Sequence, residues 1–210
     1  MKKYLIIILT AMMALMSAQA QIPADVAEIM KKSDAAMSST NGVELTMDMK
    51  TSLAFVTLTN INIVMGSKDD KFKALMSFSL LGTDIKMESG FDGTQEWVAT
   101  KDTVYINQTT SPDHDDNGAD LGIYKNYKKA KMKVKSDYYD IDFSDPIDKK
   151  SEAKSVNVKV SKSNYQIKEM KMSVKGAKVT IIIKKVKKGL SDNYFKLDMS
   201  KYPKAVVVNK

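Results

Sequence analysis

Cysteine and arginine are both missing from the 210 residues, and histidine occurs once. Without cysteine there is no disulfide framework, no thiol nucleophile and no thiolate-held zinc or iron–sulfur centre. A single histidine excludes His-rich metal sites and leaves His114 as the one candidate for imidazole-assisted chemistry. All 33 basic residues are lysine, so no guanidinium is available to clamp phosphate, carboxylate or guanine in bidentate fashion. A nucleic-acid partner is therefore not expected, despite a formal net charge of +8. No serine elbow, catalytic constellation or glycine-rich phosphate loop is present, which argues against an enzyme and against a bound cofactor. At 43% hydrophobic and 28% charged, the composition is that of an ordinary globular protein.

His114 lies in Asp113-His114-Asp115-Asp116-Asn117-Gly118, which matches the opening of a calcium loop. The match ends there, because the twelfth position is Tyr124 where a bidentate glutamate is needed. The stretch reads as a solvated polar loop, and no metal site is expected.

What is present begins with a processing signal. Lys2 and Lys3 precede an apolar run from Tyr4 to Met16, and Ala18-Gln19-Ala20 supplies small residues where a signal peptidase reads. The run falls short of the ~20 apolar residues of a membrane span. Residues 1–20 are thus expected to be removed, leaving a single domain over 21–210 that works beyond the inner membrane, in the periplasm.

Two periodicities follow. Ile22, Val26, Ile29, Met30, Ser33 and Met37 recur at helical spacing, with Asp25, Glu28, Lys31, Lys32 and Asp34 on the other side. This predicts an amphipathic helix over Ile22–Met37, with Pro23 in its first turn and Asn41-Gly42 beyond its end. From Val43 the period becomes two. Val43, Leu45, Met47 and Met49 alternate with polar residues, as do Ile61, Ile63 and Met65, then Phe72, Ala74, Met76 and Phe78, then Ile85 and Met87. Asp92-Gly93 signals a hairpin into strands Thr94–Thr100 and Thr103–Asn107. After a polar insertion over Gln108–Gly122, a short helix is expected through Leu121, Tyr124 and Tyr127. Alternation resumes near Met132, Tyr139–Phe143, Val156–Val160, Ile167–Val174, Val179–Ile183 and Phe195–Leu197. About ten short strands with tight connections predict a mainly β protein, an antiparallel sheet or open barrel.

Eleven methionines remain after residue 20, many on strands where Val and Ile are usual. Met is flexible and polarisable, so it suits either a wall for varied apolar ligands or an adaptable core. Charge is uneven along the chain. Residues 21–124 carry 8 Lys against 16 acids, and residues 125–210 carry 23 Lys against 9. Either two electrostatic faces are exposed, or Lys128, Lys129, Lys133, Lys135, Lys184, Lys185, Lys187 and Lys188 form solvated edges that resist aggregation.

The order of these parts resembles a known family. The ending Phe195-Lys196-Leu197-Asp198 through Tyr202-Pro203 to Val207 is similar to the F-x-x-D-x-x-x-Y-P-x-x-x-V close of bacteroidete-type periplasmic outer-membrane lipoprotein carriers, the LolA-like proteins. Asp92-Gly93 with Trp97 resembles the family's D-G-x-x-x-W strand pair. Tyr165-Gln166-Ile167 resembles its Y-x-I strand opening, and Tyr124-Lys125-Asn126-Tyr127-Lys128-Lys129 the connection after its central insertion. The resemblance implies an incomplete antiparallel β-barrel, a half-barrel whose apolar concave face is covered by an N-terminal amphipathic helix and a short helical segment. It implies a monomer whose cargo is the acyl chains of lipoproteins, received from an inner-membrane ABC transporter that releases them and passed to an outer-membrane acceptor. A lipid-sensing regulator or envelope-protein scaffold on the same half-barrel is the alternative. Two departures stand out: family members latch the helical lid with an arginine, absent here, and Asn209 stands where an aspartate is common.

On that frame, Leu45, Met47, Met49, Phe72, Met76, Phe78, Ile85, Met87 and Trp97 are expected to line the acyl cavity, because pleating aims each stripe at one face. The lid helix would face it with Ile22, Val26, Ile29, Met30 and Met37.

Overall fold

The computed structural model describes residues 22–53, 56–80, 82–109, 123–174 and 176–209, with backbone only at 53 and 56–59. The signal segment, the Asp113–Gly118 loop with His114, and Leu121 lie outside the described residues. An α-helix α1 (Ala24–Met37) is followed by twelve strands: β1 (Val43–Leu53), β2 (Val56–Lys68), β3 (Lys71–Leu80), β4 (Thr83–Phe91), β5 (Gln95–Ala99), β6 (Thr103–Gln108), β7 (Tyr127–Val134), β8 (Tyr138–Pro146), β9 (Ala153–Ser161), β10 (Ile167–Val174), β11 (Ala177–Lys188) and β12 (Val206–Asn209). They form one sheet in the order β12-β6-β5-β4-β3-β2-β1-β11-β10-β9-β8-β7. Among the described residues the end strands β12 and β7 do not pair, so the sheet stays open instead of closing into a barrel. Pairing is antiparallel from β2 to β6 and from β7 to β11, while β12 lies parallel to β6.

Three local expectations are corrected. The helix starts at Ala24, with Pro23 before it accepting from Ala27 N–H at 3.0 Å, and Ile22 lies outside it. The short helix shrinks to a 3₁₀ turn at Ile123–Asn126, and Tyr127 opens a strand. Phe195–Leu197 is not a strand, because Asp192–Phe195 closes a 3₁₀ turn with Tyr194 N–H bonded to Ser191 O at 3.0 Å.

By contact density the chain falls into two compact units. The first holds the described residues within 22–37, 50–57 and 123–183, and the second those within 38–49, 58–109 and 184–209. In the first, register makes one face apolar. Met132, Ile141, Val158, Met170 and Ile181 are successive cross-strand partners from β7 to β11, and the last four of them are buried. The opposite face carries charges: Asn157 Nδ2 bonds Asp140 at 2.8 Å and Asp142 at 2.7 Å, and Glu169 pairs with Lys159 at 2.8 Å and Lys171 at 3.0 Å. Each such surface pair is worth ~1 kcal/mol or less, so the apolar face carries the stability.

Helix α1 buries the stripe Val26, Ile29, Met30, Ser33 and Met37, while Glu28 and Lys32 pair at 2.7 Å on its exposed side. Lys32 Nζ lies 5.3 Å from the Tyr165 ring, which stacks at 6.5 Å on Tyr139. Tyr139 pairs with Val160 on the apolar face, so the helix lies on that face of its unit. Edge strand β7 exposes Lys128, Lys129, Lys131 and Lys133, with Lys135 exposed just beyond it, and Lys184, Lys185, Lys187 and Lys188 are exposed at the end of β11. Lysine on an edge strand discourages pairing with other chains.

Met30 is fully buried, so Met30→Ala is expected to lose about 2–5 kcal/mol, measured by chemical denaturation. Tyr127 donates to Ala153 O at 3.1 Å, and burial pushes its phenol up to about 12. A raised folded value means that the neutral phenol stabilises the fold below the unfolded value near 10 and that this stability is lost as pH rises through 12. Absorbance titration at 295 nm is expected to show a tyrosine ionising about two units late, in step with falling stability between pH 10 and 12.

Candidate functional site

In the second unit the pairing of β3 with β4 runs unshifted from Phe72↔Phe91 to Leu80↔Thr83. Directly opposed residues share a face, so these registers sort every side chain. Ile63, Met76 and Met87 fall in one row, Phe78 pairs with Ile85, and Met65, Ala74 and Ser89 form the next row. Asn62, on the other face with Ser77, bonds Asp48 at 3.3 Å. Asp48 therefore points away from this apolar face, and its neighbours Leu45, Met47 and Met49 point toward it.

Eight of the nine expected wall residues thus come together on one face: Leu45, Met47, Met49, Phe72, Met76, Phe78, Ile85 and Met87. Leu45, Met47, Met49 and Met76 are buried, whereas Phe72, Phe78, Ile85 and Met87 are half-buried. Ile63 and Met65, half-buried on the same face, belong with them and were visible in the alternation with Asn60 and Asn62. Of the expected lid residues, Val26, Ile29, Met30 and Met37 are buried and Ile22 is half-buried, all in the first unit.

Trp97 does not join the wall. It pairs with Gly90 across from Lys73, on the opposite face, and forms a buried cluster with Ala99 and Val104 under Leu197, Tyr202 and Ala205. A Cβ at Gly90 would lie 2.7 Å from Trp97 Cη2 and 2.9 Å from Phe72 O, so the indole rests directly on backbone. Among the described residues no group of three or more Asp, Glu or His could hold a metal ion, and no helix is long and apolar enough to cross a membrane.

The fold and this face define an open, two-faced antiparallel sheet with an N-terminal helix. No family model matches the chain, and no curated protein matches it significantly. Among solved structures it is similar to an uncharacterized conserved protein from Thermus thermophilus, at 9% identity and a TM-score of 0.52 over 89% of this chain and 99% of the other. That likeness concerns the fold alone. A LolA superfamily protein from Nitrosomonas europaea matches at 11% identity and a TM-score of 0.41, covering 86% of this chain and 99% of its own. Lipoprotein LppX from Mycobacterium tuberculosis matches at 7% identity and 0.46, covering 80% and 97%.

Gly90→Ala is expected to displace the indole and cost about 1–3 kcal/mol, the usual range for overpacking. Denaturation followed by Trp97 emission, from the one tryptophan in the chain, measures both effects.

Proposed function

We propose that this chain is a periplasmic carrier that shields the acyl chains of lipoproteins on the apolar face of β1–β4, taking them from an inner-membrane ABC transporter toward the outer membrane. The observation that carries the reading is the in-register set Phe72, Phe78, Ile85 and Met87, which leaves apolar surface half-exposed on one face. Burying acyl methylenes there would favour binding by about 0.8 kcal/mol each. Methionine suits the task because an unbranched thioether side chain reshapes to fit flexible hydrocarbon and retracts when it leaves. The secretory N-terminus and the bacteroidete-type carrier motifs in the sequence support the same reading.

The test joins two measurements. Protein isolated from its native envelope is expected to carry triacylated protein detectable by mass spectrometry, and the purified chain to bind a fluorescent fatty-acid probe. Met87→Lys should weaken probe binding at least tenfold, while Val134→Lys, on the exposed edge strand of the first unit, should leave it unchanged. Equal binding by wild type and Met87→Lys would remove this face from the mechanism.

A further inference from the structure

The face opposite the apolar wall is crossed by the C-terminal residues 191–209, which cover a charged pair as well as the Trp97 cluster. Glu88, 3% exposed, stands 3.0 Å from Lys73 Nζ, whose side chain is 12% exposed. Lys73 Nζ lies 6.0 Å from the Trp97 ring, and several further links from the pair go to the C-terminal segment. Lys73 Nζ donates to Lys196 O at 3.0 Å, Lys201 Nζ lies 3.8 Å from Glu88, and the Tyr202 hydroxyl bonds the Glu88 carboxylate. Tyr194 lies over Gly66, where a Cβ would come within 2.9 Å of its hydroxyl, and it bonds Glu44. Burial and the Glu44 carboxylate raise the Tyr194 phenol above the ordinary tyrosine range.

We propose that residues 191–209 form a strap that docks on and releases from this face as a unit, hinged after Leu190. The hinge is fixed by Gly189 and Leu190 N–H groups bonded to Gly42 O at 3.0 Å and Asn41 O at 2.7 Å, with Leu190 buried. Beyond it Phe195 is the only buried residue among those described, and the sheet holds the segment's backbone chiefly through the four residues of β12. Apart from Phe195 and the side chains on the Trp97 cluster the segment is largely exposed, and exposed backbone with exposed hydrogen bonds marks the low-stability end of a structure. The turns within the strap are bonded locally, at Ser191–Tyr194, Asp198–Lys201 and Tyr202–Ala205, so they can survive release.

The buried pair decides how closely docking is balanced. Taking a carboxylate and an ammonium out of water is repaid only when geometry is excellent and the remaining lone pairs are satisfied. Here Glu88 Oε1 makes no aligned hydrogen bond, although Lys73 Nζ is near it. Releasing the strap returns both charges to water, and this offsets the loss of its apolar contacts. A strap meant to stay closed would cover apolar side chains at these two positions.

The prediction is one of opposite signs, and it holds whether or not the other face binds acyl chains. In hydrogen exchange of the full mature chain, amides of 192–209 should exchange at least tenfold faster than those of β3–β5. Lys73→Met with Glu88→Leu should slow strap exchange about tenfold, because the desolvation cost disappears. Lys73→Met alone should speed it, because Glu88 would be buried without its closest partner. Gly66→Ala should also speed it and raise acrylamide quenching of Trp97, whose cluster the strap covers. If Gly66→Ala removes protection from β3–β5 as well, Tyr194→Ala supplies the same reading without crowding the sheet. Strap amides as slow as β3–β5 in the unmodified chain, or a double substitution that leaves exchange unchanged or faster, would overturn the proposal.

Discussion

The unshifted register of β3 against β4 is the constraint on which the second unit depends. Nine successive pairs without a bulge mean that every side chain on the two strands has one possible face. A slip of one residue would exchange Phe72, Met76 and Phe78 for Lys73, Leu75 and Ser77, putting a buried ion pair among methionines and phenylalanines in water. The next hairpin extends the register by local chemistry. Asp92 accepts from Thr94 N–H at 2.9 Å and Gln95 N–H at 3.0 Å, and Gly93 takes a φ of +99° that L side chains rarely adopt. This turn fixes Phe91 opposite Glu96 and Gly90 opposite Trp97.

The first unit meets the same demand with a different filling. Its apolar row from Met132 to Ile181 lies under a helix of its own unit, and its other face is an ion-paired surface whose members cost little to leave in water. The second unit has no α-helix among its described residues. Its apolar face keeps half-exposed phenylalanine, isoleucine and methionine, and the polar face is where the chain spends its last turns. An apolar surface retained beside a covered polar one is the reverse of what folding alone favours, and that asymmetry is the physical reason to look for a ligand there.

Much of this was legible in the sequence. A period of 3.6 over Val26, Ile29, Met30 and Met37 has one solution, and a period of 2 over Leu45, Met47 and Met49, or over Phe72, Met76 and Phe78, identifies a strand and the residues that share its face. Trp97 reads as part of the wall, and the structure puts it on the other side, because alternation shows only that Trp97 and Ala99 share a face, not which face of the sheet that is. Trp97 and Ala99 alternate with Glu96 and Val98, so counting apolar residues cannot choose between them. Only the hairpin register does. Lys73 and Glu88 read as solvent-facing members of alternating strands, because nothing local announces that a segment more than a hundred positions away will cover them. The same segment hid its own form: Phe195 and Leu197 alternate like a strand, while the strand that forms, Val206–Asn209, is an edge with Val206 and Val207 exposed.

The two faces are not independent surfaces, because they share backbone. Glu44, which bonds Tyr194, precedes Leu45 of the apolar wall; Lys73, which holds Lys196 O, follows Phe72; Glu88, which meets Lys201 and Tyr202, follows Met87. In a pleated strand adjacent residues point to opposite sides, so three of the strap's anchors stand directly behind three of the wall's side chains. A change in strand twist that widens one face must alter the spacing of side chains on the other. Gly66 and Gly90 sharpen this coupling, since Tyr194 and Trp97 press on bare backbone with no side chain between to absorb movement. Close packing transmits such displacements instead of damping them, so the spacing on one face and the packing on the other are set together.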